Sequence, residues 1–216
     1  MFFTLTLKVL FMNKEKYLDD LKEIREIMDR SSRFISLSGM SGIVAGAIAL
    51  LGVFIAYRFV YIEHAYFGYR MVILSQTTIL QLLGLGIGVL FSALAAGIFF
   101  TKVKAKKTNQ KLWDQQTKRL LANLMIPLVT GGLLCLIFLM RGYVGIVAPL
   151  TLVFYGLALV NASKYTLSEI RTLGLLELGL GLLAAYFVGY GLLFWALGFG
   201  VLHIVYGIRM HLKYGS

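Results

Sequence analysis

"TLGLLELGLGLLAAYFVGYGLLFWALGFGVLHIVYGI", residues 172–208, decides the fold. It is two apolar runs joined by a very short turn around Gly191, with one carboxylate, Glu177, and one imidazole, His203. Each run approaches the ~20 residues that a helix rising ~1.5 Å per residue needs to cross a ~30 Å hydrocarbon core. Runs this apolar bond every backbone N–H and C=O within the segment only as helices. The short break between them forces the two helices to run antiparallel, so Glu177 and His203 share a depth and form a candidate intramembrane polar pair.

The same pattern recurs toward the N-terminus. Spans are expected at about 34–57, 77–100, 120–140, 144–160, 173–190 and 192–208. The fold class is an all-α integral membrane protein of six transmembrane helices, arranged as three antiparallel hairpins. A domain at 34–216 follows an N-terminal segment, 1–33. Composition agrees: 59% of the chain is hydrophobic and 14% charged, against about a quarter charged in soluble domains, and mean hydropathy is +0.81. The single cysteine, Cys135, lies in an apolar run and excludes a disulfide framework and a cysteine metal site.

The net charge of +11 raises the question of nucleic acid. Much of it gathers in one loop, "TKVKAKKTNQKLWDQQTKR", residues 101–119, beside membrane helices. Only Trp113 is interleaved there, so no aromatic stacking platform is present and nucleic acid is excluded as a partner. Lys102, Lys104, Lys106, Lys107 and Lys111 are instead candidate contacts for anionic lipid, each worth roughly 1 kcal/mol near a charged leaflet. Lys164, Arg171, Arg209 and Lys213 fall on the same side, opposite Arg58, Arg70 and Arg141. The positive-inside rule then places both termini and the basic loop in the cytoplasm, the membrane being the bacterial inner membrane.

In the N-terminal segment, "MFFTLTLKVLF" (1–11) is too short to span and lacks a signal-peptide cleavage site. Met12 before "NKEKYLDDLKEIREIMDRSSRF" is the expected natural start. Tyr17, Leu21, Ile24 and Met28 share one helical face, with Lys22–Glu26 and Glu26–Arg30 pairs one turn apart. This predicts a cytosolic amphipathic helix over 13–33. It lies on the protein's own loops and headgroups, or it docks a cytoplasmic protein partner.

Small residues recur at helical spacing: Gly42 with Gly46, Gly84 with Gly88, Ser92 and Ala96, and Gly181 with Ala185 and Gly189. They let helices approach closely within one chain or, as the alternative, between chains of a homo-oligomer. The loop "YRFVYIEHAYFGYRMVILSQTT", 57–78, sets tyrosines and arginines at headgroup level, and its adjacent Glu63 and His64 lack metal-ligand spacing. A weak repeat aligns "GGLLCLIFLMRGYVG" with "LGLLAAYFVGYGLL"; Gly142 and Gly191 are the turn glycines, and Tyr155-Gly156 corresponds to Tyr206-Gly207.

The hairpin "LGLLAAYFVGYGLLFWALGFGVLHIVYGIRM" resembles those of the acid-resistance (HdeD-like) membrane proteins. The stretches "RSSRFISLSGMSGIVAGAIALLG" and "YGLALVNASKYTLSEI" resemble an uncharacterised six-span inner-membrane protein family of Bacteroidota. The resemblance implies a six-helix inner-membrane fold and no particular activity.

No nucleophile elbow, HExxH, P-loop or catalytic carboxylate pair occurs, and no catalytic, cofactor or metal residue is assigned. The expectation is a non-enzymatic membrane protein acting by interaction, in envelope homeostasis, sensing or scaffolding. The alternative is a small transporter or channel with a polar path near Glu177 and His203.

Overall fold

The computed structural model describes residues 20–21, 38–61, 75–107 and 113–214. The N-terminal segment 1–11, all of the 13–33 helix except Asp20 and Leu21, the outer loop 62–74 and Lys111 lie outside the described residues.

The described chain is helical and contains no strand. α1 runs Gly39–Tyr61, α2 Gln76–Lys107 and α3 Gln115–Met140. α4 covers Val147–Ala162, with short 3₁₀ segments before and after it that extend it to Val144–Tyr165. α5 is Ser168–Tyr186. α6 is Gly191–Tyr214, with π-helical Ala196–Leu202 set into it. Five of these, all but α5, are long and apolar enough to cross a membrane. This is an all-α membrane protein of the multi-pass kind. α5 is set apart by its charges: Glu169, Arg171 and Glu177 fall within its 19 residues.

Local chemistry explains the boundaries. Asp114 caps α3, accepting from the Thr117 backbone N–H and hydroxyl, both at 2.7 Å. These bonds hold its carboxyl below the usual carboxylate range. Pro149 falls in the first turn of α4, where no intrahelical donor is lost. Pro127 sits inside α3, which continues through it. The chain reverses at Gly142 (φ 82°) and at Gly189 (φ 108°), a backbone region that favours glycine. Gly191, expected as the second turn glycine, instead opens α6 against Ala148 of α4.

Glycine crossings organise the packing. The most extensive contact is α4 on α5. There a Cβ on Gly156 would lie 2.6 Å from the Gly174 carbonyl oxygen, and one on Gly174 2.8 Å from that of Gly156. α1 lies along α6 in the same way: a Cβ on Gly207 would lie 2.6 Å from Ile43 N and 2.8 Å from Gly39 O. α2 packs chiefly on α1, and α3 on α4. Asn161 of α4 donates to the Asn123 carbonyl of α3 at 3.0 Å.

The neighbour order is therefore α2, α1, α6, then α4 and α5 together, with α3 outside. The contact between α5 and α6 is thinner than either glycine crossing. Large apolar side chains cover the outside: Leu80, Phe91, Phe99 and Ile126 are among those exposed. None of the most apolar stretch of α2 is buried, as expected of a helix facing hydrocarbon.

Candidate functional site

Glu177 is completely buried, and neither of its oxygens has a hydrogen-bond partner. Because α5 begins at Ser168 rather than at Leu173, the residue lies roughly 14 Å along its helix at ~1.5 Å per residue, near the helix middle. Gly198 of α6 makes room for it: a Cβ there would collide with Glu177 Oε2 and with Leu152, which is itself wholly buried. The carboxyl thus lies directly against the backbone of α6.

His203 stands beside it. Nδ1 is 3.5 Å from Glu177 Oε1 and 3.0 Å from the Gly198 carbonyl oxygen, to which it donates. Nε2 is 2.7 Å from the Tyr155 hydroxyl of α4. With Nδ1 carrying the hydrogen, Nε2 accepts from Tyr155 O–H, and a neutral imidazole satisfies both contacts. The π-helical turns carry Gly198, and His203 begins the regular helix after them. Single π turns inside α-helices often mark functional sites. Aromatic rings enclose the imidazole: Phe199 stacks on it at 6.0 Å, Tyr155 lies at 5.4 Å, and Trp195 packs on Phe199 at 4.7 Å.

A second polar cluster ties the start of α5 to the end of α6. Glu169 is buried; Lys213 donates to it at 2.5 Å, and the Tyr214 hydroxyl lies 2.9 and 3.0 Å from its two oxygens. Burial opposes ionisation here, but the bonds from Lys213 and Tyr214 prevail and bring the carboxyl down to about 2. With Glu177 and His203 meeting farther in, this cluster sets α5 and α6 at matched depth.

The remaining expected residues fall differently. Lys102, Lys106 and Lys107 are exposed on the last turns of α2, open to headgroups. Lys104 is buried, along with Ala105, so it is not placed as they are for lipid contact. Gly42 and Gly46 meet α6, and Gly181 meets Val153 and Leu152 of α4. Gly84 and Gly88 meet nothing within 4 Å. Gly84 and Gly88 line an open groove of about 390 Å³ between α1 and α2, together with Ile48, Leu51, Ile55 and Ser92. Among the described residues no group of three or more His, Cys, Asp or Glu is placed to hold a metal ion.

Sequence reasoning missed three participants. Tyr155 carried a signal, since its Tyr-Gly dipeptide repeats in α6, but the phenol's direction depends on the Gly156–Gly174 crossing. Gly198 looked like one more packing glycine in "ALGFGVL". Glu169 lay before the expected start of the span, and pairing it needed the register of α5 on α6. Compared with models of protein families, with curated proteins and with solved structures, the chain matches none.

Proposed function

We propose that the chain is a six-span protein of the bacterial inner membrane with both termini cytoplasmic. It acts by interaction, in envelope homeostasis, sensing or scaffolding, and not by catalytic turnover. α5 is the sixth span in this reading, and the spans form three sequential hairpins. Its Glu177 is shielded from lipid by α4 and α6, while Glu169 and Arg171 lie at headgroup level. The exposed Lys102, Lys106 and Lys107 face anionic lipid on the cytoplasmic side. The resemblance to the six-span Bacteroidota family belongs to the same proposal.

One observation carries the reading. The polar centre of the bundle is closed: Glu177 and Leu152 are both 0% exposed, and the space beside Gly198 is filled by their side chains. A conducting or substrate path needs an aqueous opening at this carboxyl, whereas a sensor or scaffold needs a packed core. The alternative, a small transporter or channel, draws support from the two unpartnered oxygens of Glu177, which would suit an ion.

Two measurements separate the readings. Cross-linking in native membranes followed by purification in mild detergent should recover a cytoplasmic protein with the full chain and lose it when residues 13–33 are deleted. Purified protein in sealed vesicles should leave ion and proton gradients intact. A leak that disappears in Glu177→Gln would overturn the proposal in favour of transport.

A further inference from the structure

The buried carboxyl, the imidazole and the phenol form more than a packing contact. Tyr155 O–H donates to His203 Nε2, and His203 Nδ1–H donates to the Gly198 carbonyl, so the imidazole is satisfied as a neutral ring. Glu177, fully buried with both oxygens unbonded, is least costly as a neutral acid, because a lone buried carboxylate is far more costly than a protonated one. Among the described residues, the other titratable groups facing it are His203 from α6 and Tyr155 from α4. α1 covers another side of α6 with Gly42, Gly46, Ile43 and Leu50, and its residues 39–57 include no charged side chain.

We propose that Glu177, with the His203 Nδ1–H as a neighbouring donor, is a binding site for one exchangeable proton drawn from water. In the bound state the proton is on the Glu177 carboxyl and the site is neutral. Release of the proton to water leaves a carboxylate and a neutral imidazole. The carboxylate then draws the Nδ1–H from the Gly198 carbonyl, disturbing the π-helical turns and the rings stacked on His203.

Trp195, on Phe199 and thus one ring removed from His203, is a built-in reporter of that change. The inference deepens the sensing reading and rests on it for its use in the cell. Its test reads purified protein alone, so failure to capture a partner leaves it standing.

The test is pH-difference infrared spectroscopy of the full chain in lipid nanodiscs, with Trp195 emission recorded in a Trp113→Phe background. The protonated-carboxyl band should vanish as pH rises, and Trp195 emission should change with the same midpoint. Glu177→Gln should abolish both transitions. His203→Leu and Tyr155→Phe, which keep the carboxyl, should each displace the midpoint by about one pH unit, a tenfold change in proton affinity. A band that survives Glu177→Gln, the lack of any such band across the pH range, or Trp195 emission that ignores the band's transition would each overturn the proposal. If Glu177→Gln does not fold, unmoved midpoints in both of the other variants would do the same.

Discussion

Gly156→Ala tests the packing on which the polar site depends. The added methyl would lie 2.6 Å from the Gly174 carbonyl oxygen and 2.8 Å from Leu178 N, both backbone atoms of α5. Neither can rotate away, so the helices must part by roughly 0.5–1 Å, a gap that forfeits a quarter to a half of each dispersion contact across it. Overpacking of this kind costs about 1–3 kcal/mol. The better helix propensity of alanine offsets up to about 1 kcal/mol, leaving a net loss of roughly 1–2 kcal/mol. Gly84→Ala is the matched control, because nothing lies within 4 Å of a Cβ there. It should be neutral or stabilising by up to about 1 kcal/mol. Unfolding of both purified variants in mild detergent, followed by circular dichroism, should separate them by roughly 1–3 kcal/mol, with Gly156→Ala the weaker. Equal midpoints, or Gly84→Ala as the weaker protein, would refute the α4–α5 crossing.

Three other outcomes follow from the same geometry. Glu177→Leu and His203→Phe should be non-additive in thermal stability: the second leaves the Tyr155 hydroxyl without its acceptor, at about 1–3 kcal/mol, and the two changes should couple, since membrane polar pairs do so by about 0.6 kcal/mol on average. Strict additivity would mean that the two side chains do not interact. Glu169 has a folded value of about 2 against its usual 4.5, so its stabilisation is complete above the latter and is lost as pH falls from there toward 2. Glu169→Gln should therefore be less stable than wild type by about 1 kcal/mol at neutral pH, given the exposure of Lys213, and the gap should close on acidification; a constant gap across that window would contradict the ion pair. For the proposed topology, a reporter fused after Gln110 should read cytoplasmic and one at Ala65 outside, and a cytoplasmic signal at Ala65 would remove a span.

Much of the helical framework was legible in the sequence because apolar length is a strong signal in a membrane protein. The two chain reversals were legible for a related reason, since little but glycine tolerates a positive φ, although the second fell at Gly189 rather than Gly191. Helix partners beyond neighbours in the chain were not legible. Gly42, Gly84 and Gly181 all stand in small-residue patterns, yet two of them meet another helix and Gly84 faces open space. The pattern records that a close approach is sterically allowed, and only the arrangement of the other helices decides whether it happens. The polar site divided in the same manner. Glu177 and His203 stood out because they are rare in such runs, whereas Tyr155 belongs to a residue type common at membrane depth, and its role depends on where the α4–α5 crossing aims its hydroxyl.

These two kinds of feature are linked by the physics of the hydrocarbon core. Lipid tails are as apolar as leucine, so burying leucine between helices yields little driving force, and close backbone contact and polar bonds must hold the bundle. Both coincide in α4, α5 and α6: Gly156 and Gly174 bring α5 onto α4, Gly198 admits the Glu177 carboxyl to the backbone of α6, and Tyr155 reaches from α4 to His203. None of the groups just named comes from α2, whose most apolar stretch stays unburied. A perturbation of the polar centre should therefore be felt by three helices at once and scarcely by α2. Proximity labelling by cysteines placed on α2 and α1 should be unchanged by Glu177→Leu, while pairs placed across α5 and α6 should change. That contrast follows from the geometry alone, because no described polar side chain of the centre comes from α2.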